Sequence, residues 1–229
     1  MAFDGKTLIR DLSFTVGKGE IFGLLGSNGS GKTTTIRALL GFYEPTGGEL
    51  LLEGKRFNPE DSSVTVGYLP EERGLYRKET VIDIMTYFGE LKGIKDPVGW
   101  SKKYLKRVGL EDKENVRIDK LSGGQQQKIQ LGVTIMDNPK LLILDEPTKG
   151  FDPINRRLLM EIIEEHHNKG ASIIMVTHYM DEVERFCDRA LLLKDGTARA
   201  YGTISDIKKE FGGKSLDQIF VDVYGENNE

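Results

Sequence analysis

The sequence predicts a layered α/β fold: a core with a mixed, largely parallel sheet, an N-terminal antiparallel β subdomain and an inserted α-helical subdomain. Short apolar runs at 20–25, 141–144 and 172–176 are typical of strands buried on both faces of a sheet. Residues 80–138 show apolar side chains three and four apart, which indicates helices. Alternation of these patterns along one chain is typical of α/β folds with a helical insertion.

The N-terminal part is expected to contain several short strands. Alternating apolar and polar residues over 12–16 predict one strand, and glycine-containing turns on both sides of 49–52 predict a second. A third strand is predicted over 64–69, where Pro70 ends it. We group these strands into a small antiparallel sheet beside the main one.

The second half of the chain alternates between strand and helix. A hairpin is predicted across Asp195-Gly196, which favours a tight two-residue turn. The elements expected after residue 138 are strand 141–144, helix 156–168, strand 172–176, helix 179–186, strands 190–193 and 197–201, and helices 204–211 and 216–223. We therefore predict one domain over 1–229, with its core at 1–79 and 139–203, a helical subdomain at 80–138 and a helical tail at 204–229.

Composition excludes several classes of protein. The net charge of −4 gives no basic excess, so no nucleic-acid partner is expected. No apolar run approaches the roughly 20 residues that span a bilayer, and no signal peptide is expected. The lone Cys187 fits a reducing compartment and is expected to be buried. His166 and His167 are expected at the surface.

A glycine-rich segment after the first buried strand predicts a phosphate-binding loop. It fits the pattern G-x-x-x-x-G-K-[ST] and lies between strand 20–25 and a helix over 34–40. Its members are Gly26, Ser27, Asn28, Gly29, Ser30, Gly31, Lys32 and Thr33. The glycines permit N–H groups to turn inward, Lys32 adds a mobile positive charge, and Thr33 and Thr34 offer hydroxyls to Mg²⁺ and phosphate. Nucleotide binding follows from this pattern.

Two further stretches carry chemistry. Asp145 ends a buried strand, where its carboxylate can hold Mg²⁺ through water, and Glu146 can orient and deprotonate a water for attack on a γ-phosphate. A second helix N-terminus prepared for an anion is predicted after Leu121. Its residues are Ser122, Gly123, Gly124 and Gln125.

This ordered set of motifs resembles that of ABC-type ATPases. The matching segments are the phosphate loop 26–33, signature motif 121–125, magnesium strand 144–147, D-loop 150–152 and switch histidine at 177–178. The resemblance implies two subunits that face each other head to tail around ATP and Mg²⁺. One subunit would supply Lys32, Thr33, Asp145 and Glu146, and the other Ser122, Gly123, Gly124 and Gln125. It also implies that His178 contacts the γ-phosphate, that Asp152 acts in the D-loop and that Phe3 stacks on adenine.

The sequence departs from the family pattern at three places. Glu71 stands where the family usually has glutamine, at a position that contacts Mg²⁺ and responds to the transmembrane partner. The surrounding stretch 67–76 resembles an export-type branch linked to drug or sodium efflux. Phe151 replaces the usual leucine of the D-loop, which we expect to be tolerated. The strand that normally precedes Phe3 is expected to be missing or abbreviated.

The resemblance implies an ATP-hydrolysing subunit of an exporter, peripheral on the cytoplasmic face of the cell membrane. A separate transmembrane permease would contact the cargo and would dock near Glu71, Arg73 and residues 75–85. The second nucleotide-binding subunit could be identical or different. A soluble ABC-type ATPase that never meets a membrane is the alternative. A P-loop kinase would explain neither 121–125 nor 177–178.

Overall fold

The computed structural model describes the backbone of residues 2–3 and 6–7, and residues 9–58, 64–72 and 74–225 in full. The chain divides into two compact units, unit 1 with residues 1–64 and 172–229 and unit 2 with residues 65–171. The subdomain boundaries expected from the sequence remain a prediction.

Strands and helices alternate along the described chain. The strands are β1 Ala2–Phe3, β2 Lys6–Thr7, β3 Ile21–Leu25, β4 Leu51–Leu52, β5 Lys55–Arg56, β6 Val66–Leu69, β7 Leu141–Asp145, β8 Ser172–Val176, β9 Arg189–Lys194 and β10 Thr197–Thr203. The helices are α1 Lys32–Leu39, α2 Val81–Leu91, α3 Pro97–Arg107, α4 Gly123–Ile135, α5 Pro153–Asn168, α6 Met180–Phe186, α7 Ile204–Glu210 and α8 Leu216–Gly225. The predicted α/β class is confirmed. None of the helices in the described ranges has the length and apolarity needed to cross a bilayer.

The main sheet of unit 1 is mixed, in the order β10–β9–β3–β8. Strand β3 is buried along its whole length and pairs in parallel with both β8 and β9. Strands β9 and β10 form the predicted antiparallel hairpin. Asp195 and Gly196 have φ of 51° and 74°, the left-handed pair that a tight hairpin turn requires. The phosphate loop thus follows a central strand.

The strand predicted over 12–16 is wrong, because this described segment pairs with no strand of the described chain. Side chains bind its backbone instead. The Thr15 N–H donates to the Tyr201 hydroxyl at 3.0 Å, and Arg189 donates to the Thr15 carbonyl at 3.3 Å. Phe14 stacks on Phe22 with a centroid separation of 5.3 Å, which explains the alternating pattern without a strand.

The N-terminal antiparallel part consists of very short hairpins. Strands β4 and β5 pair across Glu53-Gly54, and β1 pairs with β2. Because β4 covers only Leu51–Leu52, the strand is shorter than the predicted 49–52.

Strand β6 does not join that antiparallel part, so its predicted grouping is wrong. It runs parallel to β7 in unit 2, with Leu69 opposite Leu144. Gly67 permits the pairing: a Cβ there would lie 2.8 Å from Pro139 Cγ and 2.9 Å from the Thr134 carbonyl oxygen. The remainder of unit 2 is helical, which confirms the helical insertion.

Two predictions about burial have opposite outcomes. Cys187 is buried as expected, and burial raises the pKa of its thiol. The surface position expected for His166 is wrong, since its side chain is only 7% exposed. His166 lies four residues after Ile162 and three after Ile163 on α5, so helix geometry turns it inward with them. Burial lowers the pKa of the His166 imidazole below 6.5.

Candidate functional site

The phosphate loop of unit 1 depends on glycine at three positions. Gly29 and Gly31 have φ of 80° and 110°, in the region that side chains other than glycine rarely adopt. A Cβ on Gly26 would lie 2.3 Å from Ser30 Oγ and 2.7 Å from the Leu193 carbonyl oxygen. The backbone conformation and the close packing of the loop therefore require glycine at these three positions of the motif.

The same loop has the features of an anion site. The first bond of α1 runs from the Thr35 N–H to the Gly31 carbonyl at 2.9 Å, so the N–H groups of residues 32–34 have no acceptor within the helix. No acidic residue lies in the first turn of α1. Ser30 Oγ is buried and has no hydrogen-bond partner within the described part of the chain. These groups fit a bound phosphate.

Lys32 is held over this loop. Its Nζ donates to the carbonyl oxygens of Gly26 at 2.6 Å and Ser27 at 3.1 Å. Thr33 and Asn28 are exposed at the mouth of the loop, and Thr34 is half-buried. The cationic head group thus lies among the backbone groups that would receive phosphate oxygens.

The segment carrying His178 lies beside the phosphate loop in unit 1. Strands β3 and β8 are parallel neighbours, with Leu24 opposite Val176, so residues 26 and 177 leave the same edge of the sheet. Thr177 is fully buried, and its Oγ1 accepts the Tyr179 N–H at 3.1 Å. The His178 side chain is exposed. His178 therefore follows a strand at the carboxyl-terminal edge of the sheet, where ligands bind in open α/β sheets, and its role as the switch histidine remains a prediction.

Two buried carboxylates lie at the carboxyl-terminal end of β7 in unit 2. Asp145 is the last residue of β7, Glu146 follows it with φ of 52°, and both side chains are buried. Among the described residues no group of three His, Cys, Asp or Glu side chains could hold a metal ion by itself. A site with one or two carboxylates still fits Mg²⁺, which keeps several waters and takes phosphate oxygens as ligands.

Glu71 has a partner that the sequence did not reveal. The Lys149 Nζ lies 2.6 Å from Glu71 Oε1, and both side chains remain substantially exposed. Because β6 and β7 are paired in parallel, the segments that follow them start from the same edge. Lys149 immediately precedes the D-loop, so an ion pair connects that loop to residue 71.

The signature segment forms a capping box at the start of α4. Ser122 Oγ accepts the Gln125 N–H at 3.3 Å, and Gln125 Oε1 accepts the Ser122 N–H at 2.9 Å. No acidic residue lies in the first turn of this helix. A helix therefore begins where the sequence predicts one, with Gly123 and Gly124 as its first residues, and anion binding there remains a prediction.

The D-loop lies against the signature segment within unit 2. A Cβ on Gly124 would lie 3.1 Å from Phe151 Cε1, so the phenylalanine that replaces the usual leucine packs over this glycine. Asp152 caps α5 by accepting the N–H groups of Ile154 and Asn155, each at 3.0 Å. Hydrogen bonds from Asn155 lower the pKa of the Asp152 carboxyl.

Two expected residues cannot be assessed. The structure describes only the backbone at Phe3, so its side chain lies outside the described residues, and so does all of Arg73. The roles expected for them remain predictions.

Comparison with known proteins gives one consistent family. The family model described as ABC transporter matches residues 9–149, more than half of the chain. An uncharacterized ABC transporter ATP-binding protein of Methanocaldococcus jannaschii is 46% identical over 207 residues, which cover 90% of this chain and 75% of the relative. The Nod factor export ATP-binding protein I of Rhizobium sp. is 35% identical, covering 96% and 73%.

A solved structure agrees with the sequence relatives. It is described as the ATP-binding subunit of an ABC transporter, has a TM-score of 0.87 and is 32% identical, covering 96% of this chain and 95% of its own. ATP-binding subunits of ABC transporters work with transmembrane components. The chain therefore belongs to the ABC transporter family, as an ATP-binding subunit with the P-loop NTPase fold and ATPase activity.

Proposed function

We propose that this chain is the ATP-hydrolysing subunit of an exporter, held peripherally on the cytoplasmic face of the cell membrane by a separate permease. ATP would close it against a second subunit, identical or different, and hydrolysis would reopen the pair. The observation that carries the ATP-driven part is the phosphate loop, with its buried Ser30 hydroxyl and its uncapped helix start. The relative named for Nod factor export supports the direction of transport.

Unit 1 would bind the phosphates. The N–H groups of residues 29–34 and the Lys32 ammonium would surround the terminal phosphates, and Thr34 would donate its hydroxyl to one of them. His178 would hydrogen-bond the γ-phosphate from the end of the neighbouring strand. Phe3 would stack on the adenine. Positive charge and N–H dipoles would thereby stabilise the charge that develops during phosphoryl transfer.

Unit 2 would supply the acid–base groups. Asp145 would hold Mg²⁺ together with Thr33 and Glu71, and the bound ion would neutralise charge on the phosphates. Glu146 would accept a proton from the attacking water. Its side chain is buried directly after Asp145, which would hold the carboxylate at a fixed position beside that water.

An aromatic patch in unit 2 supports docking of the permease. Tyr76 and Tyr87 are 60% and 47% exposed, and their rings meet edge to face at 6.4 Å. Leu91, one turn further along α2, is 66% exposed. Exposed aromatic and apolar side chains at one place are typical of protein interfaces. We name Tyr76, Tyr87 and Leu91 the docking patch.

A pull-down tests the permease. The tagged chain is recovered from detergent-solubilised membranes, and co-purifying proteins are identified by mass spectrometry. We expect a stoichiometric partner with several membrane spans, and we expect Tyr87→Glu to lose it. Leu51→Glu is the control, because Leu51 is an exposed apolar residue of unit 1 outside the docking patch, and this variant should retain the partner. Recovery without any membrane protein would favour the soluble ATPase instead.

A mixing experiment tests the head-to-tail arrangement. Ser122→Arg and Lys32→Ala homodimers should both be inactive. Their heterodimer should regain activity at one site, because that site combines an unaltered Lys32 with an unaltered Ser122. Activity that never exceeds that of either homodimer would contradict the shared site.

A further inference from the structure

The C-terminal helix of unit 1 ends against the phosphate loop. The Tyr224 hydroxyl donates to the Leu193 carbonyl oxygen at 2.5 Å. That carbonyl oxygen is also the atom 2.7 Å from the place where a Cβ on Gly26 would lie. The hydroxyl therefore holds the β9 carbonyl group that lies against the first residue of the loop.

Helix α8 is fixed at both ends, which gives Tyr224 a defined position. At its start, the Leu216 N–H donates to the Glu184 carboxylate at 2.8 Å, and Leu216 is fully buried. At its end, Lys194 Nζ donates to the Val223 carbonyl oxygen at 2.6 Å. Phe220 lies beside the Tyr224 ring with a centroid separation of 4.3 Å.

Gly26 connects this contact to the lysine of the loop. Its carbonyl oxygen accepts from Lys32 Nζ at 2.6 Å, and Gly26 packs so closely on the Leu193 carbonyl oxygen that a Cβ would not fit between them. A shift of that Leu193 carbonyl would therefore move Gly26 and the Lys32 ammonium, and with them the groups that would meet the phosphates.

The Tyr224 hydroxyl keeps its proton at neutral pH. Burial raises the pKa of Tyr224 to about 12, so the proton needed for the bond to Leu193 is retained. Tyr224→Phe would keep the ring but leave the Leu193 carbonyl without this partner. Part-buried polar groups that lose a partner are destabilised, so the loop would sample other conformations.

We propose that Tyr224 is a positioning residue for nucleotide binding, which acts through Leu193 and Gly26 to hold the phosphate loop in the conformation that receives phosphates. A preordered loop has less conformational entropy to lose when ATP binds. This inference rests on the phosphate-binding role proposed above for residues 26–33.

The test compares two Tyr→Phe variants of the full chain. Calorimetry gives the Kd for ATP, and hydrogen–deuterium exchange of the nucleotide-free chain reports on the loop peptide. For Tyr224→Phe we expect the Kd to rise about two- to twelve-fold, the range for one neutral hydrogen bond, with faster exchange in the loop. Tyr201→Phe is the control, since its hydroxyl accepts the Thr15 N–H at 3.0 Å and lies on β10. Its Kd and loop exchange should equal those of the parent.

Other outcomes separate this inference from the proposed site. If Tyr224→Phe lowers the melting temperature as much as Tyr201→Phe does, but leaves Kd and loop exchange unchanged, Tyr224 is structural only and the inference fails. Lys194→Met, which releases the end of α8, should loosen the same loop, and an unchanged loop would also contradict the inference. If Lys32→Ala binds ATP as well as the parent does, the phosphate-binding role itself is wrong.

Discussion

Replacing Ser122 by alanine should reduce ATP hydrolysis far more than it reduces stability. The substitution removes the bond from the Gln125 N–H to Ser122 Oγ, which is long at 3.3 Å and exposed. The bond from the Ser122 N–H to Gln125 Oε1 does not involve the lost hydroxyl. Losing an N-cap costs about 1 kcal/mol on average, so we expect about 0.5–1 kcal/mol here. The melting temperature should then fall by roughly 1–4 °C.

The loss of activity should be larger because Ser122 is expected to bond the γ-phosphate in the partner subunit. A hydrogen bond to a charged group contributes about 1.5–3 kcal/mol, so kcat/KM should fall roughly 10- to 100-fold. Steady-state ATPase assays and thermal melts give the two quantities. Thr203→Ala is the matched control, because Thr203 Oγ1 caps α7 through the Asp206 N–H at 3.1 Å. Activity of Ser122→Ala within two-fold of that of Thr203→Ala would refute the reasoning.

Three further predictions concern the charges and packing of unit 2. Lys149→Ala should lower the Mg²⁺ concentration for half-maximal ATPase activity by up to about five-fold, because it frees Glu71 from an exposed ion pair of about 0.2–1 kcal/mol. The unfolding free energy of the parent, measured in urea, should fall between about pH 7.5 and pH 6.0, and in His166→Gln this fall should be smaller. The unfolded imidazole binds a proton near 6.5 and the buried one only at lower pH, so acid favours unfolding. Gly132→Ala should cost about 1–3 kcal/mol in a urea titration, because its Cβ would lie 2.4 Å from Tyr104 Cε1.

Each of these predictions has a control in the same unit. Arg157→Ala breaks the exposed pair with Glu161 and should leave the Mg²⁺ dependence unchanged. His167→Gln alters the neighbouring, less buried histidine, and a change in pH dependence equal to that of His166→Gln would contradict the assignment. Gly74→Ala meets no atom within 4 Å, so a cost similar to that of Gly132→Ala would contradict the packing argument.

The sequence predicted elements whose signals are local. The buried strands β3 and β8 come from continuous apolar runs, and the hairpin comes from Asp195-Gly196, whose conformation depends on two neighbouring residues. The phosphate loop and the capping box at Ser122 are local as well, since their residue types follow from backbone geometry within a few positions.

Errors arose where the outcome depends on distant residues. The alternation of apolar and polar residues over 12–16 correctly indicated which side chains are half-buried and which are exposed. It could not show that side chains from β9 and β10, and not a neighbouring strand, bind the backbone of this segment. The direction of β6 depends on its pairing with β7, far along the chain. His166 had a usable signal, its spacing from Ile162 and Ile163, which was outweighed by the polarity of the imidazole.

The Glu71–Lys149 pair and the contact of Tyr224 with Leu193 had no local signal. The ion pair joins residues 78 positions apart, and neither partner belongs to a pattern that predicts the other. Tyr224 lies in an amphipathic tail whose packing partner could not be read from its own periodicity.

Glu146→Gln tests the central claim, hydrolysis of ATP between two subunits, most directly. The substitution keeps the size of the buried side chain and removes its ability to accept a proton. We expect ATP binding to persist, turnover to fall at least about 100-fold, as for loss of a general base, and an ATP-dependent dimer to appear in light scattering. Glu161→Gln, on the exposed face of α5, should behave as the parent. Hydrolysis at the parent rate in Glu146→Gln, with no dimer on ATP, would contradict the claim.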